Sequence, residues 1–279
     1  MRPDDISLVV SLCRARAGLK VAADKTYLIE SRLAPVARRE NFASISDLLA
    51  AVRAKREEPL IWGVVEAMTQ GESAFFRDRA PFETFAKDLY PTLARARGGE
   101  PVKVWSAACS AGQEVYSLAM VVQQMQAEDP SVKVQLAASD ISAQALEKAQ
   151  GGIYSQFEVQ RGLPIRLLIK HFEKIDDQWR LSADLRRMVR WRRVNLIAGL
   201  SALGRFDVVF CRNVLTQLEP AYQKKVLEEL TLVLPDDGYL VLGAKETADV
   251  AGEAYSPVLG RPGLYRRNPA FTASKAAAA

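Results

Sequence analysis

Residues 102–117 read VKVWSAACSAGQEVYS. An apolar, β-prone run (Val102, Val104, Trp105) gives way to six small residues and one glycine, then to Glu114 and an amphipathic helix pattern. A βα unit opens this way when its first loop must lie close to a ligand. Small side chains let the backbone approach, and Gly112 can take φ > 0 where the chain turns into the helix. A second buried strand, VQLAASD, ends on Asp140 at roughly the separation at which an acid receives ribose hydroxyls. Loop and acid together imply a ribose-containing cofactor. An ordinary βα turn in an unrelated α/β protein would also accommodate these residues.

A dinucleotide fingerprint needs three glycines so that a pyrophosphate can rest on the helix N-terminus. Here Ala or Ser fills two of those places, and Glu114 stands where the helix begins. A carboxylate there repels phosphate and attracts a cation. The residues therefore favour S-adenosylmethionine (SAM), which carries an ammonium and a sulfonium, over NAD.

Outward from this unit, strands and helices alternate. VKVWSAA, VQLAASD, RFDVVFC and YLVLGA are strands, with helical patterns between them. Such alternation predicts an α/β, doubly wound, mostly parallel sheet, Rossmann-like in form. An insert at 152–192 is expected to form a helix and a small antiparallel ribbon, with strands near Trp179–Leu181 and Met188–Trp191. Residues 1–76 show helical spacing throughout and predict a small all-helical domain, with Ser46 as the N-cap of its third helix. Residues 77–100 read as a helical linker, 101–270 as the cofactor-binding domain, and 271–279 as a disordered tail.

Bulk properties narrow the classes. The chain has 279 residues, 38 Lys and Arg against 33 Asp and Glu, and a net charge of +5. That balance suits an acidic partner or nucleic acid, but no nucleic-acid-binding signature accompanies it. No apolar run approaches the roughly 20 residues that span a bilayer, and the first residues lack a signal-peptide layout, so a cytoplasmic protein without membrane insertion is expected. Cys13, Cys109 and Cys211 form no CxxC pair, and His171 is the single histidine. No metal is expected, and a Ser-His-Asp site built elsewhere on the chain is excluded. His171 reads as a packing or surface residue.

Several segments, in order, resemble one family, the chemotaxis receptor glutamate methyltransferases (CheR). They are MTQGESAFFRD (68–78), VWSAACSAGQEVYSLAM (104–120), ASDISAQALEKAQGGIY (138–154), VNLI (194–197), FDVVFCRNVL (206–215) and LPDDGYLVLGAKET (234–247). The resemblance implies SAM-dependent transfer of methyl to glutamates of a chemoreceptor's cytoplasmic helical bundle, leaving S-adenosylhomocysteine. It places Gly71, Ser73 and Arg77 at the cofactor pocket. Glu114 would take the methionine ammonium and Asp140 the ribose hydroxyls. Asn195 and Leu196 would flank the adenine, and Arg212 and Asn213 would close the pocket. Arg77 and Gln217 would serve the reaction itself, Arg77 by holding a carboxylate in its guanidinium fork.

The chemistry implied needs little acid–base help, since a glutamate with an ordinary pKa near roughly 4.3 is already a carboxylate at neutral pH. Two positions depart from the family pattern: Gly71 where Asn is usual, and Gln217 where many members have Tyr. They keep open an alternative, a catalytically impaired SAM-binding signalling module. A second rival, an RNA methyltransferase, rests on the positive charge alone. The resemblance also implies a basic receptor-docking face, for which Arg32, Arg38 and Arg39 are the candidates. Relatives that grip a receptor C-terminal pentapeptide have a longer, glycine-bearing loop in the insert. KIDDQWRL has none, so action without that tether, by a monomer, is expected.

Overall fold

The computed structural model describes residues 1–69 and 72–271. It divides into two units, one of residues 1–70 with 216–223, the other of residues 71–215 with 224–279.

The first unit is helical. It contains α1 (Pro3–Ala17), α2 (Thr26–Arg39), α3 (Ile45–Lys55) and α4 (Glu58–Met68). Val9 and Cys13 of α1, Ile29 and Leu33 of α2, Leu48 and Leu49 of α3 and Val64 and Val65 of α4 are all buried, as the 3.6-residue spacing requires. The N-cap of α3 is Ser44 rather than Ser46: its side chain accepts the Asp47 N–H at 3.1 Å. Ser46 already lies inside the first turn and cannot receive that bond. Residues 216–223 join this unit through backbone pairing, with Lys20 N–H donating to the Gln217 carbonyl at 2.8 Å and Glu219 N–H to that of Gly18 at 2.9 Å.

The second unit opens with α5 (Ala80–Thr84), a π turn (Phe85–Leu89) and α6 (Tyr90–Ala96) in direct succession. Read from sequence as a linker, this segment instead buries Phe82, Phe85, Leu89 and Leu93 in the core of the second unit, together with Val102 and Val104. Amphipathic spacing shows that a helix has an apolar face, but not which core receives it.

The remaining elements are β1 (Val102–Ala107), α7 (Gln113–Glu128), β2 (Val134–Asp140), α8 (Ala143–Gly151), β3 (Ile153–Ser155), α9 (Gln156–Gln160), α10 (Ile165–His171), β4 (Phe172–Ile175) and β5 (Gln178–Leu181). After them come α11 (Ala183–Arg187), β6 (Val189–Arg193), β7 (Val208–Cys211), α12 (Pro220–Val233), β8 (Tyr239–Leu242), β9 (Tyr255–Pro257) and β10 (Leu264–Arg267).

Seven strands form one sheet in the order β6-β2-β1-β7-β8-β10-β9. The first five are parallel; β10 runs antiparallel to both β8 and β9. This is the expected doubly wound, Rossmann-like sheet. A second, antiparallel sheet has the order β3-β5-β4. One part of the insert reading is corrected: the Met188–Trp191 run belongs to β6, a parallel edge strand of the main sheet, and the ribbon's third strand is β3. The alternation in VRWRR reports one covered and one open face, and a parallel edge strand has that as readily as a ribbon does. His171 is buried at the end of α10, and burial lowers its pKa.

Candidate active site

Chain order places the sheet's switch point between β1 and β7, because β1 is followed in space by β2 on one side and β7 on the other. Ligands of open α/β sheets bind at the carboxyl ends of strands at such a point. Glu114, in the first turn of α7, and Arg212, just past β7, meet there. Arg212 Nη1 donates to Glu114 Oε2 at 2.9 Å, and Ser106 Oγ, at the end of β1, donates to Oε1 at 2.8 Å.

The Arg212 side chain is 2% exposed. Its Nη2 donates to the Arg77 carbonyl at 3.0 Å and to Asp78 at 2.7 Å, and its guanidinium carbon lies 5.9 Å from the centre of the Phe82 ring. These donors therefore go to protein groups, binding the FFRD segment to the switch point. That segment is further fixed by Phe76 N–H, which donates to Ser117 Oγ at 2.9 Å. Arg77 is half-buried, and its own guanidinium reaches the Glu72 carbonyl at 3.3 Å. Ser73 is half-buried in the same segment. Gly71 lies outside the described residues.

Asp140 closes β2. Its Oδ2 accepts from Ser110 N–H at 2.8 Å and its Oδ1 from Ser142 N–H at 2.9 Å, so two backbone amides orient the carboxylate. The loop between β1 and α7 is unusual in having Ala108 (φ 56°), Ser110 (φ 52°) and Gly112 (φ 87°) all left-handed. For alanine that backbone costs of order 1–3 kcal/mol, and such strain concentrates at ligand sites. A Cβ on Gly112 would lie 3.0 Å from Ala149 and 3.2 Å from Trp191, so this glycine serves the packing of α7 near α8 and β6 rather than ligand approach.

Beyond β6, Val194 N–H donates to the Asp140 carbonyl at 3.0 Å, and Arg193 Nε to that of Ile141 at 2.9 Å. These bonds hold the half-buried Asn195 and the buried Leu196 beside the end of β2. Asn213 is left-handed (φ 63°) and is held by a residue that the sequence reading missed. The buried Glu246 accepts three backbone N–H groups: Asn213 at 2.6 Å and Gly243 at 2.8 Å on Oε2, and Leu215 at 2.7 Å on Oε1. It stitches together the loops that follow β7 and β8. A side chain on Gly243 would meet Asn213 Nδ2 at 2.6 Å, so the stitch also needs that glycine.

Gln217 is half-buried and folds with the helical unit. Within that unit Arg38 and Arg39 are exposed, whereas Arg32 is half-buried and donates to the Met68 carbonyl at 3.0 Å, capping the end of α4.

Burial raises the pKa of Cys109 well above the usual thiol range, and the charges of Asp140 and Glu114 add to it. Cys211 is raised likewise by burial, then by Glu246 and Glu114. Both thiols therefore stay neutral. Among the described residues, the acceptor Gln113 Oε1 and the donor Arg212 Nε are both buried without a hydrogen-bond partner. Two oriented carboxylates beside neutral thiols suit a cationic ligand bearing hydroxyls. They do not suit a phosphate. Among the described residues no cluster of His, Cys, Asp and Glu could hold a metal ion.

Residues 71–260 match the family described as CheR methyltransferase, SAM binding domain, and residues 4–69 match CheR methyltransferase, all-alpha domain. The chain is 37% identical over 253 residues to chemotaxis protein methyltransferase 1 of Vibrio cholerae, covering 90% of this chain and 91% of that protein. It is 33% identical over 267 residues to chemotaxis protein methyltransferase 1 of Pseudomonas aeruginosa, covering 94% and 97%.

Proposed function

The chain belongs to the CheR family of SAM-dependent methyltransferases, and from that premise we propose that it methylates glutamate side chains of chemoreceptors, producing the methyl esters used in sensory adaptation. The observation that carries this reading is the half-buried carboxylate of Glu114, braced by Arg212 and Ser106 at the switch point, with Asp140 at the next strand end. In this reading Glu114 receives the methionine ammonium, Asp140 the ribose hydroxyls, and Asn195 and Leu196 border the adenine. When bound, SAM supplies a methyl group already activated by its sulfonium.

The protein's own contribution is positional. Arg212 directs its Nη1 and Nη2 donors at Glu114, Asp78 and the Arg77 carbonyl, so it acts by holding the acid and the FFRD segment in place. Arg77 is then the cation left to hold the incoming carboxylate. A glutamate nucleophile is ionised at neutral pH and needs no general base, so rate comes from alignment in a dry site. The exposed Arg38 and Arg39 are the docking candidates on the helical unit, since complementary charge favours encounter with an acidic target. The insert's β4–β5 turn is short and without glycine, which supports action free of a C-terminal pentapeptide tether.

The alternative of an impaired SAM-binding module draws no support from the relatives, which are named as methyltransferases. The test is transfer of tritiated methyl from SAM to membranes carrying the organism's own chemoreceptors. Base-labile label that falls at least about tenfold with Arg77→Ala is expected. SAM binding without any transfer by the wild-type chain would overturn the reading.

A further inference from the structure

In a doubly wound sheet each crossover normally lays a helix over one face. The crossover from β6 to β7, residues 194–207, contains instead one short element, the 3-10 turn Ser201–Leu203. On the face formed by Val102, Val104, Leu136, Ala138 and Val189, the sheet shares a core with α7 and α8. The opposite face carries Lys103 and Trp105 from β1, Gln135 and Ala137 from β2, and Arg190 and Arg192 from β6, by strand alternation and register. A cavity of about 210 Å³ opens there, bordered by Lys103, Trp105, Arg190, Arg192, Arg205 and Phe206. Its three strands span roughly 10 Å, the width of one α-helix.

The charge on this face is one-sided. Lys103, Arg190, Arg192 and Arg205 are all exposed, and none is paired with an acid among the described residues; no carboxylate borders the cavity. Positive charge on an edge strand alone would serve to block sheet-to-sheet aggregation. That does not account for Lys103, which sits on the interior strand β1, or for Arg205, which arrives from a loop.

Nor does the face suit nucleic acid. Trp105 is 2% exposed, donates from Nε1 to Ser139 Oγ at 3.0 Å and is packed by Phe206 at 5.2 Å between ring centres, so its ring is not a stacking platform for bases. The cavity is also smaller than the roughly 300–1,000 Å³ of sites that enclose small ligands. What remains is a basic-rimmed slot on the sheet face whose lining includes the apolar Val194, Leu203 and Phe206.

We propose that this slot docks an acidic amphipathic helix of a protein partner, seated where the fold omits its own crossover helix. The partner's carboxylates reach Arg190 and Arg192 on one side and Lys103 and Arg205 on the other. The proposal does not depend on which protein is methylated. The probe is a fluorescent helical peptide of about 20 residues with a Leu/Ala face flanked by glutamates, titrated with the full chain at low salt and read by anisotropy.

Saturable binding is expected, weakened about tenfold or more in the paired reversal Arg190→Glu with Arg192→Glu. The same peptide with glutamines in place of glutamates should not bind. SAM affinity by calorimetry serves as the fold control; if it is lost, the milder pair Arg190→Gln and Arg192→Gln replaces the reversal. No binding by the wild-type chain, equal binding by the variants, or a single-stranded RNA or polyphosphate that binds more tightly and displaces the peptide would each overturn the proposal.

Discussion

Glu246 shows how much of this site depends on one side chain that touches no reacting group. Its two oxygens accept three backbone N–H groups, from Asn213 and Leu215 after β7 and from Gly243 after β8. Glutamine offers one oxygen, and its amide NH₂ must then face an N–H. A buried donor left unmet costs about 1–3 kcal/mol. Glu246→Gln should therefore lower Tm by several degrees and weaken SAM binding, read by scanning calorimetry and titration. Wild-type values for both would mean that the carboxylate is not what holds Asn213. The acids that sequence reasoning singled out, Glu114 and Asp140, were legible because each stands at a strand end or helix start, a position that local pattern reveals. Glu246 was not, since its role exists only once two distant loops meet. The same contrast separates the arginines. Arg39 is exposed, while Arg32 caps α4 through the Met68 carbonyl. Arg39→Glu should raise KM for receptor and leave Tm unchanged, whereas Arg32→Glu should lower Tm. The reverse pattern would move the docking face elsewhere.

At the scale of elements, helices were easier to read than their ends or their partners. The repeating apolar positions in the first 69 residues identify all four helices, yet the start of α3 depends on one side chain, Ser44, whose Oγ accepts Asp47 N–H and donates to the Asp47 carboxylate. Removing an N-cap side chain costs about 1 kcal/mol. Ser44→Ala should cost that much in a urea titration and Ser46→Ala less than half as much; equal losses would show that Ser44 does not cap. The segment 77–100 was misread for a different reason. Phe82, Phe85, Leu89 and Leu93 mark an apolar stripe, but the π turn shifts its phase midway, and nothing local says that the stripe meets β1. Strand β6 was misassigned because VRWRR alternates. Alternation reports one open face, and here the open face belongs to the main sheet.

For the molecule as a whole, part of the second unit's acid sensitivity should trace to one clasp. Arg97, just past α6, donates Nε to Asp207 at 2.7 Å, and its Nη1 and Nη2 form a fork on Asp237 at 2.8 Å each. Asp207 also accepts Lys103 N–H at 2.7 Å. The clasp thus joins the helical entry segment, the start of the sheet and the turn before β8. The hydrogen bond and charge of Arg97 hold the Asp237 carboxyl below its ordinary pKa. A carboxyl depressed in the folded state binds protons more weakly than in the unfolded chain, so its stabilisation is fully present above the unfolded value near 4. It is lost as pH falls through the lower, folded value. Asp237 is partly exposed, and water and salt screen its pairing, so the effect is modest in size and shrinks at high ionic strength. Asp237→Asn should lower stability at pH 7 and flatten its decline between about pH 5 and pH 3, measured by urea unfolding at each pH. A parallel decline in variant and wild type would place the acid sensitivity in other carboxylates.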